Sequence, residues 1–465
     1  MPLIRAYALP HPPLAVPQVG RGQDAKIKDT IDAFNQVAKE IASLAPETIL
    51  VITPHGTVYS DYLHISPGEE ARGDFSTFGV DGLEIEAQYD TELAREISNC
   101  ASEIGLAAGE MGERNPSLDH GVLVPLWFIK QFYSDFKLLR LAQSGLEPSA
   151  HYSLGKAIIA AADKIGRRVV LIASADLSHK LSEEGPYGFA EEGVQYDERA
   201  LEALATGNFI GLFNISESLR EKAAECGHNS YMVLAGAFDG RQVDSKLLSY
   251  EGPFGVGYAV ATFQPKEPAR DRNFLEQFEA LSLAECEKLR LNEDPYQALA
   301  RLSLEYTLKE GRSLPLTKTS LPQEMLDRKA GVFVSINKFG RLRGCIGTIS
   351  PTTGSIAEEI IQIAVSAGLH DSRFDQVKLE ETPYLSYKVD VLAEPEAIPD
   401  SSYLDVKRYG LIVMYGTKRA LLLPNLEGVD SVEQQLSIAR QKAGIPENID
   451  ISDIKLERFE VIRHG

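Results

Sequence analysis

Two short stretches restrict the fold of this 465-residue chain more than any other feature. Thr48-Ile-Leu-Val-Ile-Thr-Pro-His55 and Val169-Val-Leu-Ile-Ala-Ser-Ala-Asp-Leu-Ser-His179 each open on an apolar run rich in β-branched residues. Such runs are too short for a buried helix and fit strands covered on both faces, as in a parallel sheet. Each delivers a histidine just past its carboxyl end, the edge at which open α/β sheets bind ligands. A looser alternation over residues 2–9 predicts a first strand running into Pro10-His11-Pro12-Pro13. The prolines exclude helix there and hold His11 in a stiff extended loop. Apolar residues at helical spacing over residues 29–41 complete a β-α-β start.

The length predicts two or three domains. We read an α/β metal-binding domain with a central mixed or parallel sheet at 1–265, a linker at 266–292, and a smaller α+β domain at 293–465. Further helices are expected at 89–106, 149–165, 187–206 and 215–224, and strands at 246–251 and 255–263. The linker carries a helix through 274–289. Asp294-Pro295, an N-cap with proline at the first helical position, opens the second domain. A hairpin over 331–348, a helix at 355–367, strands at 384–392 and 410–415 and a last helix at 431–442 do not alternate strictly, which is the α+β pattern.

Composition narrows the functions. A formal charge of −20 disfavours nucleic acid and anionic membranes as partners. No apolar stretch approaches the ~18 residues of a membrane span, and the amino terminus lacks a signal-peptide core. Cys100, Cys226, Cys286 and Cys345 form no CxxC pair, so a disulfide framework is not expected and the cytoplasm is the expected compartment.

His11, His55 and an acid from Glu225-Cys226-Gly227-His228 would supply two imidazoles and a carboxylate, a set that leaves open positions on iron. His120 and His179 then remain for proton transfer. Asp119 beside His120 either orients a proton carrier or forms a helix-capping pair with it. His64, within a short strand at 62–66, reads as structural, and His151, near a helix start, as a capping or exposed residue. In the second domain Arg343 projects to the same strand face as Cys345 if the strand is regular, which would favour the thiolate. A single cysteine in an apolar strand is more commonly packing.

Residues 1–265 resemble the class III extradiol dioxygenase superfamily of the LigB type, with its Memo-like relatives. The matching motifs are Pro10-His11, Thr53-Pro54-His55-Gly56, Leu118-Asp-His120-Gly-Val-Leu-Val-Pro125-Leu126 and Ser174-Ala-Asp-Leu-Ser-His179. The resemblance implies Fe(II) on His11 and His55, acid–base roles for His120 and His179, and a small aromatic diol with O2 as reactants. Extradiol enzymes place a glutamate at the third ligand and Memo-like proteins a cysteine before glycine. Glu225 and Cys226 are adjacent here, and the match leans to Cys226, for which zinc or copper is an alternative to iron. A Memo-like protein without ring cleavage is the alternative function. Residues 290–465 resemble the AMMECR-type domain through Leu342-Arg-Gly-Cys-Ile-Gly-Thr348, Asp371-Ser-Arg-Phe374 and Leu421-Leu-Leu-Pro424, with Ser372 where a proline is usual. Such pairings imply a radical-SAM partner and a modification pathway.

Overall fold

Val169–Ser174 is buried along its whole length because it lies inside a six-stranded sheet with apolar layers on both sides. The computed structural model describes residues 2–318, 320–426 and 428–465, which fall into two units, Met1–Glu279 and Ala280–Gly465. The strand order in the first unit is Lys137–Ala142, Thr48–Thr53, Val169–Ser174, Leu3–Leu9, Tyr258–Pro268, Arg241–Glu251. The first four run parallel, and the last two form an antiparallel hairpin along Leu3–Leu9. The sheet is therefore mixed.

Successive side chains of a strand point to opposite faces, and the apolar runs split accordingly. Leu50, Ile52, Leu171 and Ala173 enter one core with helices Thr91–Glu103, Pro148–Ile165, Glu191–Thr206 and His228–Ala237. Ile49, Val51, Val170 and Ile172 enter the other with helices Lys28–Leu44 and His120–Lys130. A two-sided core explains why these strands lack polar alternation.

Three helices are shorter than their apolar patterns. Thr91–Glu103 begins where Asp90 caps the Leu93 N–H, and Glu217–Ala223 where Ser216 caps the Leu219 N–H. Residues 180–190 are a loop closed by a Leu181–Phe189 bridge, so the next helix begins only at Glu191. An antiparallel ribbon, Glu70–Phe75 with Val80–Gln88, was not anticipated. Its inner residues Ala71, Phe75, Ile85 and Ala87 join the second core.

In the second unit two four-stranded antiparallel sheets carry separate cores. Helices Pro295–Glu310 and Ile356–Leu369 cover the sheet containing Arg341–Gly347, and Val432–Ala443 covers the one containing Gly410–Tyr415. The expected start at Asp294-Pro295 is a full capping box with Gln297. Helix Phe274–Leu291 occupies much of the expected linker. Among the described residues no helix is long and apolar enough to cross a membrane.

Candidate metal centre

The carboxyl ends of three neighbouring parallel strands, at Leu9, Thr53 and Ser174, deliver His11, His55 and His179 to one edge of the sheet. His11 is held twice. Its N–H donates to Asp176 Oδ1 (2.8 Å), and its ring Nδ1 lies 2.9 Å from Ser174 Oγ. The Ser174 hydroxyl donates its one proton to the Gly121 carbonyl at 2.5 Å. Ser174 must then accept from His11, so His11 carries its proton on Nδ1 and turns the Nε2 lone pair outward.

That lone pair faces His55 Nε2 at 3.0 Å and Cys226 Sγ at 3.7 Å. The three donor atoms all lie within 4.8 Å of one another. Ligands bound at ~2.0–2.1 Å for nitrogen and ~2.3 Å for sulfur stand about 3.0–3.6 Å apart in octahedral or tetrahedral geometry. The His11–His55 and His11–Cys226 separations of 3.0 and 3.7 Å are close to that spacing, so two imidazole nitrogens and one sulfur suit a transition-metal ion. His11 is buried and His55 is the exposed member at the mouth.

Burial, reinforced by the neighbouring imidazoles His55, His120 and His179, holds His11 far below the ordinary histidine range. Partial desolvation, with His120 and His179 beside it, lowers His55 to about 4. Both rings are thus neutral at pH 7, as metal ligation requires. Burial pushes the Cys226 thiol well up, with the charges of Asp176 and Glu225 adding to it. A coordinated cation would reverse that preference and favour the thiolate.

Glu225 and Cys226 part company where the chain enters helix His228–Ala237. Glu225 accepts the His228 N–H at 2.7 Å, with Arg220 3.8 Å away, and so serves the helix's positive end rather than the cluster. Gln143 donates to the Cys226 carbonyl (3.0 Å) and to Ser230 Oγ (2.8 Å), which fixes the backbone that aims the thiol. Gly227 is required because a Cβ there would meet the Ala175 Cβ at 2.1 Å and its Cα at 2.6 Å.

His120 stacks on His55 with ring centroids 4.0 Å apart and stands 5.3 Å from His11. Asp119 occupies the N-cap position of helix His120–Lys130, yet its side chain makes no capping bond. It accepts instead from the Thr53 hydroxyl at 2.6 Å, and Thr53 Oγ1 in turn accepts the His55 N–H at 3.1 Å. The Asp119 charge works against the burial that lowers His120. His179 donates from Nδ1 to the Ala224 carbonyl, leaving Nε2 as its basic nitrogen, and burial lowers it as well. Tyr187 lies against its ring at 5.3 Å. His64 is buried against Tyr59. His151 is neither exposed nor a cap: it is buried, and Nε2 accepts the Ser144 N–H.

Sequence reasoning missed Ser174 as the residue setting the His11 tautomer, and Asp176 and Gln143 as backbone anchors. Ser174 and Asp176 belong to the stretch that ends on His179, but only contacts with the neighbouring strand assign their partners.

In the second unit Arg343 does not serve Cys345. Its guanidinium makes a two-pronged pair with Glu381 (3.0 and 3.1 Å) and donates to the Asp375 and Gln376 carbonyls. A register shift at Ile336/Asn337 interrupts the regular pairing of its strand. The cation beside Cys345 is Arg373, which donates to the Cys345 carbonyl (2.9 Å) and is itself gripped by Asp371. Cys345 Sγ accepts from the Ser335 hydroxyl at 3.2 Å.

Comparison with known proteins follows this division. The family described as the catalytic LigB subunit of aromatic ring-opening dioxygenase matches residues 5–261, and AMMECR1 matches residues 297–464. Protein CA_C1420 of Clostridium acetobutylicum is 41% identical over 474 residues, spanning 98% of each chain. A Thermotoga maritima protein is 44% identical over 175 residues, 37% of this chain and 99% of its own. Among solved structures, protein PH0010 from Pyrococcus horikoshii is 35% identical, covers 36% of this chain and 88% of its own, and gives a TM-score of 0.34. Protein JW3007 from Escherichia coli K12 is 14% identical and covers 56% and 99%, with a TM-score of 0.37.

Proposed function

We propose, for a chain that belongs to the LigB family over residues 5–261 and to the AMMECR1 family over residues 297–464, that the first domain is a metal-dependent oxidoreductase. The convergence of His11, His55 and Cys226 supports this reading most directly. A bound ion would supply a Lewis acid that holds a vicinal aromatic diol beside O2. Fe(II) suits that task, while the thiolate also suits zinc or copper.

The protein's own residues do the rest. His179, its Nδ1–H tied to the Ala224 carbonyl, presents Nε2 to take a hydroxyl proton. His120, stacked on His55 and under the charge of the Asp119 carboxylate, receives a proton and returns it at the far end of the reacting group. Ser174 and Asp176 orient His11, and Gln143 orients Cys226. A reducing cytoplasm, which keeps the four free cysteines as thiols, agrees with this reading.

A second reading is favoured by the sulfur ligand. It is a Memo-like metal centre without ring cleavage, working with the AMMECR1 domain and a radical-SAM partner in a modification pathway. Anaerobic loading of the full chain with Fe(II), Zn(II) or Cu(I), followed by catechol and O2, separates the two. Ring-cleavage product in the iron form supports the first reading, and stoichiometric metal without catechol turnover supports the second. Cys226→Ala is expected to lose metal and Glu225→Gln to keep it. Metal lost only from Glu225→Gln would overturn the assignment of Cys226.

A further inference from the structure

Beside the candidate centre lies a cavity of about 760 Å³, within the ~300–1,000 Å³ typical of small-molecule sites. His120 lines it, and the same imidazole stacks on His55, so the cavity lies one side chain away from the metal-ligand cluster. One wall is the outer face of the ribbon formed by Glu70–Phe75 and Val80–Gln88. Its register sets Arg72 opposite Glu86 and Asp74 opposite Glu84. Residues two apart on a strand share a face, so all four charged side chains project together, and all four line the cavity. Asp119 adds a further carboxylate on the helix side. The lining thus sets four carboxylates against one guanidinium, with Phe78 and Leu123 as apolar surface.

An anion entering this space meets excess negative charge, whereas a cation is drawn in. We infer that the cavity selects the charge of the ligand: the diol brought to the metal carries a cationic, ammonium-type substituent on its ring, held by Glu84 and Glu86. This rests on the proposed metal–diol reading for the diol, and on the ribbon alone for the charge preference. Glu84 and Glu86 are exposed and lie outside both cores, so neutralising them leaves the fold intact.

The test measures equilibrium binding to the full chain by calorimetry in two arms. In the first, Zn(II)-loaded protein is titrated with dopamine, 4-methylcatechol and protocatechuate, which share the diol and differ in charge. In the second, metal-free protein is titrated with phenethylamine and phenylacetate, which lack the diol. At an effective dielectric intermediate between protein and water, one net charge pair at ~6 Å changes affinity by about tenfold. Dopamine is expected to bind at least about tenfold more tightly than protocatechuate, and the Glu84→Gln/Glu86→Gln double variant to narrow that ratio to about threefold or less. If no diol binds but phenethylamine is still preferred in wild type and not in the double variant, the diol reading fails and the charge selection stands. Equal or tighter binding of the anions, or a preference untouched by the double substitution, overturns the inference.

Discussion

Ser174→Ala probes the centre without touching any metal-ligand atom. The hydroxyl bridges the Gly121 carbonyl and His11 Nδ1–H inside a site where Ser174 is 0% and His11 1% exposed. Its removal leaves one donor and one acceptor without partners, at ~1–3 kcal/mol for each unsatisfied group, and frees the ring to adopt the other tautomer. A stability loss of about 2–3 kcal/mol is expected from the first effect. The second is expected to weaken metal binding about 10–100-fold, the usual cost of losing a group that orients a ligating histidine. Competition against a chelator of known affinity measures the metal, and denaturant unfolding of the metal-free protein measures stability. Ser178→Ala is the control, because that hydroxyl is equally buried but donates to the Ala223 carbonyl and accepts the Lys180 N–H. Metal affinity within twofold of wild type in Ser174→Ala, or an equal loss in Ser178→Ala, would refute the tautomer argument.

Three further outcomes are expected. Gly227→Ala drives a methyl into Ala175 and should cost at least 2 kcal/mol, on the order of a strongly overpacked core site, seen as a lowered unfolding midpoint together with weakened metal binding. Glu359→Gln should destabilise the second unit by ~2–4 kcal/mol, because the buried carboxylate accepts from Thr348, Thr352 and Thr353 and an amide cannot accept from all of them. Burial pushes the Glu381 carboxyl up, but hydrogen bonds from Arg343, the Lys378 N–H and Lys338 outweigh it and bring it to about 2. A depressed folded-state value stabilises above the unfolded carboxylate range and is lost as pH falls through it. About 2 kcal/mol, discounted for partial exposure, should therefore disappear between about pH 4.5 and 2. Amide exchange of strand Val332–Lys338 in wild type and Glu381→Gln follows this, and an unchanged pH profile in the variant would contradict it.

How much of this was legible depends on whether a signal was local. The runs before His55 and His179 announce doubly covered strands because burial on both faces removes the polar alternation. Strand Lys137–Ala142, opening on Lys and interrupted by Arg140, carries no such signature, since Arg140 is buried only by donating to Ser66 and the 115–117 loop. The choice between Glu225 and Cys226 was invisible locally, because it turns on where helix His228–Ala237 begins and on Ala175 packing against Gly227. Arg343 was misassigned for a similar reason. Glu381, which claims it, is 38 residues away in sequence, and the register shift breaks the regularity on which the face argument stood. The charged ribbon alternates too irregularly at Gly73 and Gly82 to read as two strands.

His11 and Cys226 stand 215 positions apart along the polypeptide. During synthesis the amino-terminal donors leave the ribosome long before the sulfur exists, and a chain stalled before Cys226 offers an ion at most two of its three donors. High-affinity capture is then a late event that reports a finished domain. Metal supplied early meets only weak, exchangeable attachment, whereas metal supplied after completion adds its binding free energy to a fold already closed around it.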